Sequence, residues 1–404
     1  MGELILNKDL LNLGKEVISI LKDKGYEAYF VGGCVRDLLL EMEITDIDLT
    51  TNAKPEEINK IFEQVIPIGI EHGTVLVRYK KESFEITTYR TEGTYSDKRH
   101  PDYVQFIMSI EEDLKRRDFT INAMAMDEKE RLLDPFKGRE DINRKIIRAV
   151  GNPKDRFLED PLRIIRAIRF SSQLGFSIEQ ETLQQMIELK GDIASLAQER
   201  ITEEIRRLFL HKYVAKGVRY ILNTGIDNHL PIIKEYPYVL RDIVDRIKPL
   251  KEFSDLISLF HIKEKKIPIS KWIKEWKCSK ETRKNAEALV LAYEEYMQNG
   301  LHPVMIYKLP VHLFNNFIDI VYILQGTLIS IEEIESFYKE LPVKNARQLA
   351  VNGSDIIQLL PDKKPGRWVQ QLLEEITRQV LLKKLSNDKE VIKEWAKCHL
   401  PKEN

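Results

Sequence analysis

The hydrophobic pattern of this chain changes period near Gly138, and that change constrains the fold more than any other feature. Before it, short runs rich in Val, Ile, Thr and aromatic residues recur, namely "YEAYFVGG", "ITDIDLTT", "GTVLVRYK", "SFEITTYR" and "YVQFIM". Such residues suit a pleated, half-buried strand. Between them "VRDLLLEM", "KPEEINKIFEQ" and "EEDLKRRDFTINAMAMD" read as helices, the second with Pro55 in its first turn. After Gly138, "DPLRIIRAIRFSSQLG", "QERITEEIRRLFLHKY" and "PGRWVQQLLEEITRQVLLKKL" place apolar residues at i, i+3 and i+4, the spacing of amphipathic helices. The expectation is an α+β chain whose first 140 residues hold a small mixed sheet and whose remainder is helical. At 404 residues it is long enough for two to four domains.

A hydrophobic share of 43% and a charged share of 31% fit a soluble globular protein. The first 25 residues carry acids and helical periodicity rather than an export signal, and no long uncharged apolar run follows, so no membrane partner is expected. Cys34, Cys278 and Cys398 lie far apart with no C-x-x-C, which argues against a zinc site or disulfide framework and suits a reducing cytoplasm. A formal charge of −1 leaves a nucleic-acid partner open, because a phosphate-binding surface needs only local basic character. Basic residues concentrate from Arg144 to Arg169 and from Lys263 to Lys284. The second stretch interleaves Trp272 and Trp276 with lysines and reads first as an amphipathic helix whose tryptophans face the core.

In "ITDIDLT" Asp46 and Asp48 would share one strand face while Ile47 and Leu49 pack on the other. Two anions on one face repel, and a divalent cation such as Mg²⁺ holds them with hard oxygen ligands; a turn is the plainer reading of D-x-D alone. Just upstream, Gly32-Gly33 follows a strand and precedes a helix carrying Arg36. That arrangement lets backbone amides approach a phosphate, although it also fits a tight turn. Glu85 in "SFEITTY" would point away from the core side of Phe84 and Ile86 and offers a third carboxylate. In "KRRDFTINAMAMD", read as helix, Asp118, Asn122 and Ala125 line one side and Arg117, Ile121 and Met124 the next. Arginine there suits phosphate and sugar oxygens, or a surface ion pair.

In "LEDPLRIIRAIRF", Asp160, Arg163, Arg166 and Arg169 recur every third residue and would form one polar stripe of a helix, opposite Leu162, Ile165 and Ile168. An intrahelical ion-pair series has the same spacing. A carboxylate beside a guanidinium also matches the Watson-Crick edge of cytosine, Asp160 accepting from the N4 amine and Arg163 donating to the ring acceptors. Adenine presents the same order. Uracil and guanine set a carbonyl against the carboxylate, so the pair admits C and A and refuses U and G.

"VGGCVRDLLL…ITDIDLTT", "KRRDFTINAMAMD", "FLEDPLRIIRAIRF" and "QERITEEIRRLF" resemble, in order and spacing, the motifs of the bacterial CCA-adding enzymes, the class II tRNA nucleotidyltransferases. "LAVNGSDIIQLL" is similar to their C-terminal domain in Gram-positive bacteria. The resemblance spans nearly the whole chain and is weakest over residues 215–340. It implies a head (1–140), neck (141–212), body (213–302) and tRNA-binding tail (303–404), with a sheet in the head only. It further implies an enzyme that adds C, C and A to the 3′ end of tRNA from CTP and ATP, with Mg²⁺ as cofactor. Asp46 and Asp48 would be the metal-binding pair and Glu85 the third acid. Gly33, Arg36 and Arg117 would hold triphosphate and sugar, while Asp160 and Arg163 would template the base with Arg166 and Arg169 in support. "RTEGTYSDKRHPDYVQF", Arg90 to Phe106, resembles the loop complete CCA-adding enzymes use in changing from CTP to ATP. A homodimer is left open.

Related activities set the alternatives. Poly(A) polymerases of this superfamily carry a basic pair followed by Phe where "IPIGIEHGTVLV" has Ile70-Glu71. Enzymes adding only CC tend to lack the loop, whereas enzymes adding only A share nearly the same motifs. No His-Asp dipeptide occurs, so the fused phosphohydrolase domain of some relatives is not expected. A non-catalytic RNA-binding protein is the reading from another class, and the intact D-x-D speaks against it.

Overall fold

The computed structural model describes residues 8–69, 72–93, 104–359 and 364–399. Ile70-Glu71 and most of the segment resembling the switching loop therefore lie outside the described residues. The chain divides into two compact units, 1–241 and 242–404.

The first unit opens with α1 (Lys8–Asp23), β1 (Ala28–Val31), α2 (Gly33–Leu39), β2 (Asp48–Thr51) and α3 (Pro55–Ile61). Then follow β3 (Val65–Gly69), β4 (Thr74–Tyr79), β5 (Glu82–Thr88), the short hairpin β6 (Arg90–Glu92) and β7 (Val104–Phe106), and α4 (Ile110–Lys115). β8 (Ala125–Met126) and β9 (Leu132–Leu133) complete a seven-stranded sheet of order β3-β4-β5-β2-β1-β8-β9. Within this sheet, among the described residues, only β2 and β5 run parallel; their register sets Asp48 beside Glu85. Alternation decides the faces, with Ile47, Leu49, Phe84 and Ile86 at most 2% exposed while Asp46 and Glu85 stay on the surface. α1 lies on β1 so closely that a Cβ on Gly14 would stand 2.6 Å from the Phe30 ring.

α5 (Gly138–Arg144), β10 (Ile146–Ile147), α6 (Pro153–Glu159), α7 (Leu162–Leu174), β11 (Ser177–Ile178), α8 (Gln180–Leu189), α9 (Gln198–Phe209) and α10 (Val214–Thr224) follow. β10 and β11 pair in parallel, so a two-stranded sheet stands where only helices were expected. α7 is buried nearly all round, Arg163 and Arg169 included, and packs on α9 and α10.

Two helical expectations fail for identifiable reasons. The segment 111–127 is no continuous helix. It ends at Lys115, makes a 3₁₀ turn over Thr120–Asn122 and enters the sheet as β8. Phe119 bridges to Ala149, and Thr120 and Val150 exchange backbone bonds with Arg148 and Asp118, so pairing with a distant segment draws residues 118–120 out of the helix. The Asp118 carboxylate also accepts from the Phe119 amide at 2.8 Å, a local bond that competes with helix. Asp160 likewise precedes α7 instead of lying on it. Its backbone is extended (φ −141°, ψ 99°), as the following Pro161 requires.

In the second unit Trp272 and Trp276 are fully buried, their rings 5.3 Å from Phe260 and 5.8 Å from Phe253 respectively. Lys271, Lys274 and Lys277 are exposed, so the tryptophans of this basic stretch serve the core. Among the described residues no helix is long and apolar enough to cross a membrane.

Candidate active site

A polar cleft of about 530 Å³ in the first unit gathers most of the residues singled out from the sequence. Its walls include Gly32, Gly33 and Arg36 from the turn into α2, Asp46 in the segment leading into β2, Asp48 as the first residue of β2, and Arg117. From α7 and the residue pair before it come Asp160, Arg163, Arg166 and Arg169. Glu85 is not on the wall and reaches the site through its place beside Asp48 in the sheet.

The turn at Gly32 needs a glycine. Its φ of +73° is strained for residues with a side chain, and a Cβ would lie 3.2 Å from Arg117 Nη1 and 3.6 Å from Asp48 Oδ2. The backbone thus passes between a cation and an anion. Arg36, 4% exposed, grips Asp37 in a fork at 2.8 and 2.9 Å. Arg117 Nη2 donates to the buried Asp113 at 3.3 Å, while its Nε is buried without a partner among the described residues. An unsatisfied guanidinium donor beside a glycine turn fits an incoming anion.

Burial, reinforced by Glu85 and Asp46 and opposed by Arg117, pushes the Asp48 carboxyl up to about 6. Asp46 takes one hydrogen bond from Thr45 Oγ1 at 2.8 Å. The crowding of carboxylates is what a divalent cation relieves, so the donor set fits one. Among the described residues no group of three or more His, Cys, Asp or Glu is placed to hold a metal ion, so the fit rests on the Asp46 and Asp48 pair; Mg²⁺ commonly takes its other ligands from water and substrate phosphates.

At the other end, Asp160 Oδ1 accepts from the Leu162 amide at 3.0 Å and Oδ2 from Arg200 at 2.8 Å. The Arg163 guanidinium is fixed by Glu159 (2.7 Å) and by the carbonyls of Arg156 (3.2 Å) and Arg116 (3.1 Å). Asp160 and Arg163 therefore bond to other partners and line the cleft side by side. Arg166 clasps Asp118 at 2.9 and 2.7 Å, and Arg169 pairs with Glu204 at 2.6 Å. Burial, opposed by Glu204 and reinforced by Arg166, pulls Arg169 down to about 10. Burial first, and then the charges of Arg169, Arg207 and Arg36, holds His211 at about 4.

Sequence reasoning assigned no role to Arg200, Arg207, Gln173 or Phe170, which also line the cleft. The i, i+4, i+7 spacing of Arg200, Glu204 and Arg207 in "QERITEEIRRLF" was the available signal.

A carboxylate strand pair, a glycine turn and an arginine-lined cleft on a small mixed sheet define a nucleotidyltransferase. Residues 28–148 match the poly A polymerase head domain, and residues 253–396 match domain 2 of the tRNA nucleotidyltransferases. A CCA-adding enzyme of Oceanobacillus iheyensis is 43% identical over 389 residues, 96% of this chain and 97% of the relative. One of Bacillus cereus (strain AH820) is 38% identical over 397 residues, 95% and 98% of the two chains. The crystal structure of the Bacillus stearothermophilus CCA-adding enzyme in complex with CTP superposes with a TM-score of 0.87 at 33% identity, covering 99% of this chain and 98% of that one. The chain belongs to the CCA-adding enzyme family.

Proposed function

We propose that this chain adds C, C and A to the 3′ end of tRNA, using CTP and ATP without a nucleic-acid template and releasing pyrophosphate. The observation that carries the reading is the shared cleft, in which Asp46 and Asp48 face the same space as Gly32, Arg117, Asp160 and Arg163. The relatives of similar length and name support it.

Asp46 and Asp48, with Glu85 beside Asp48, would hold Mg²⁺, chosen by the hardness of the oxygen donors. When bound, divalent ions supply activation of the tRNA 3′-hydroxyl and neutralise charge on the departing pyrophosphate. Gly33 and its neighbouring backbone, Arg36 and Arg117 hold the triphosphate in line for attack on the α-phosphate. Asp160 accepts from the exocyclic amine of C or A and Arg163 donates to the adjacent ring acceptors. Arg166 and Arg169, braced by Asp118 and Glu204, keep that edge in place. The neck, body and tail, divided at residues 141, 213 and 303, supply phosphate contacts to tRNA in the cytoplasm.

The test is incubation with tRNA lacking its terminus and one labelled triphosphate at a time. CTP should be incorporated alone, and ATP only after two C residues are in place. Failure to use CTP with ready addition of A to tRNA ending in CC would make it an A-adding enzyme. Long A-tails on unrelated RNA would make it a poly(A) polymerase.

A further inference from the structure

A relay of side chains, buried at Arg36 and Asn122 and partly exposed at Arg166, connects the two ends of the cleft. Arg36 Nη1 donates to Asn122 Oδ1 at 2.8 Å, and Asn122 Nδ2 donates to Asp118 Oδ1 at 3.1 Å. Asp118 Oδ2 in turn accepts from Arg166 on α7. Arg36 and Asn122 are 4% and 7% exposed. Alongside the relay, the ring of Phe170 has the guanidinium carbons of Arg36 and Arg166 at 5.2 and 5.5 Å from its centroid.

We infer that Asn122 is a positioning residue that fixes the base-reading helix α7 relative to the phosphate-holding turn, and so sets nucleotide selection. The site between Arg36 and Asp118 needs one acceptor and one donor on a short side chain. Asparagine supplies both, and its neighbours fix its orientation, since the reverse would set NH₂ against a guanidinium and oxygen against a carboxylate. Aspartate would keep the bond to Arg36 but repel Asp118. Alanine would release both. Asn122 lines the cleft, but its amide is committed to Arg36 and Asp118, so it acts through Arg36 and, by way of Asp118, through Arg166.

The consequence falls on selection. Arg163 lies one turn before Arg166 on α7, so a shift of Arg166 moves the donor aimed at the base edge. Arg36 retains its fork to Asp37 whatever stands at position 122. Loss of the relay should therefore leave triphosphate holding largely intact and blur the distinction between bases. A misplacement of about 1 Å is enough for effects of about a hundredfold.

This inference rests on the base-selecting reading above, and the experiment separates the two. Incorporation of CMP and UMP into tRNA ending before its first C is measured for wild type, Asn122→Ala and Asn122→Asp, with binding of CTP and of inorganic triphosphate and Tm in parallel. Wild type that takes neither nucleotide sinks the function and not the role of Asn122. In both variants the CMP:UMP ratio should fall by about tenfold or more while triphosphate affinity stays within about threefold. An equal loss for both nucleotides, or an unchanged ratio, overturns the inference. So does a failure of both variants to fold, because Asn122 would then be a requirement of the fold alone.

Discussion

At the scale of single residues, the cleft separates groups by what burial and neighbours do to their charge. Asp48 is raised and Asp118 is lowered, although both are carboxylates flanking the same space. Asp48 faces Glu85 and Asp46. For Asp118 burial works upward, but Arg166, Asn122 and Arg163 outweigh it and hold the group at about 2. Asp46→Ala or Asp48→Ala should abolish incorporation of both C and A with the melting curve preserved; near-wild-type turnover in either would refute the metal assignment. Asp160→Asn keeps size but can turn an NH₂ toward a carbonyl, so uracil becomes less disfavoured. The CMP:UMP ratio should fall several-fold at least, since a base-edge contact is worth about 1 to 3 kcal/mol. A constant ratio with lower activity would make Asp160 only the partner of Arg200. For Asp118, a folded value below the ordinary one of about 4 means that folding favours the ionised form. Its stabilisation is complete above that pH and is lost as pH falls toward 2. The lowering is worth on the order of 2 kcal/mol of stability. Denaturant melts at pH 7 and pH 3 should show a smaller pH difference for Asp118→Asn than for wild type; equal differences would place the acid titration elsewhere.

At the scale of elements, what was legible in the sequence was whatever depends on neighbours along the chain. The alternation through Ile47, Asp48 and Leu49 gave the strand faces, and the arginine spacing from 163 to 169 gave the stripe on α7. The pairing of Asp48 with Glu85 joins positions far apart, which no local pattern encodes. β3 is missing from the runs read as strands, and its Pro67 is tolerated because β3 is an edge strand. The helix expected over 111–127 failed beyond Lys115 because periodicity cannot see the pairing of Phe119 with Ala149 and of β8 with β1. Even so, placing Asp118 and Asn122 on one side was sound, because the two side chains meet at 3.1 Å. Asp160 was the avoidable error, as Pro161 announces the break. The 3₁₀ turn carrying Asn122 is held by α5, where a Cβ on Gly138 would stand 2.2 Å from the Thr120 carbonyl oxygen. That oxygen is backbone and cannot swing aside, while the Met124 side chain stands at 2.9 Å. Gly138→Ala should lower stability by about 1 to 3 kcal/mol, the usual range for overpacking. An unchanged Tm would mean that α5 can slide on the turn.

At the scale of the molecule, 63 basic and 64 acidic side chains nearly cancel, yet they are not evenly spread. Eight arginines and five aspartates line the cleft, and Lys265, Lys266, Lys271, Lys274 and Lys277 are exposed in the second unit. A uniformly neutral surface would attract a polyanion weakly at any ionic strength. Local concentration of cations predicts binding through phosphates, with release of the counterions condensed on the RNA. Raising monovalent salt from 50 to 200 mM should then weaken tRNA binding by at least about tenfold, which corresponds to about two phosphate contacts. Logarithmic plots of affinity against salt should be straight. Lys271→Glu combined with Lys274→Glu should reduce the slope, while CTP binding at the cleft of the first unit stays unchanged. A flat salt dependence would remove phosphate contacts as the main source of tRNA affinity, and a slope unaltered by the two substitutions would remove this lysine face from the contact surface.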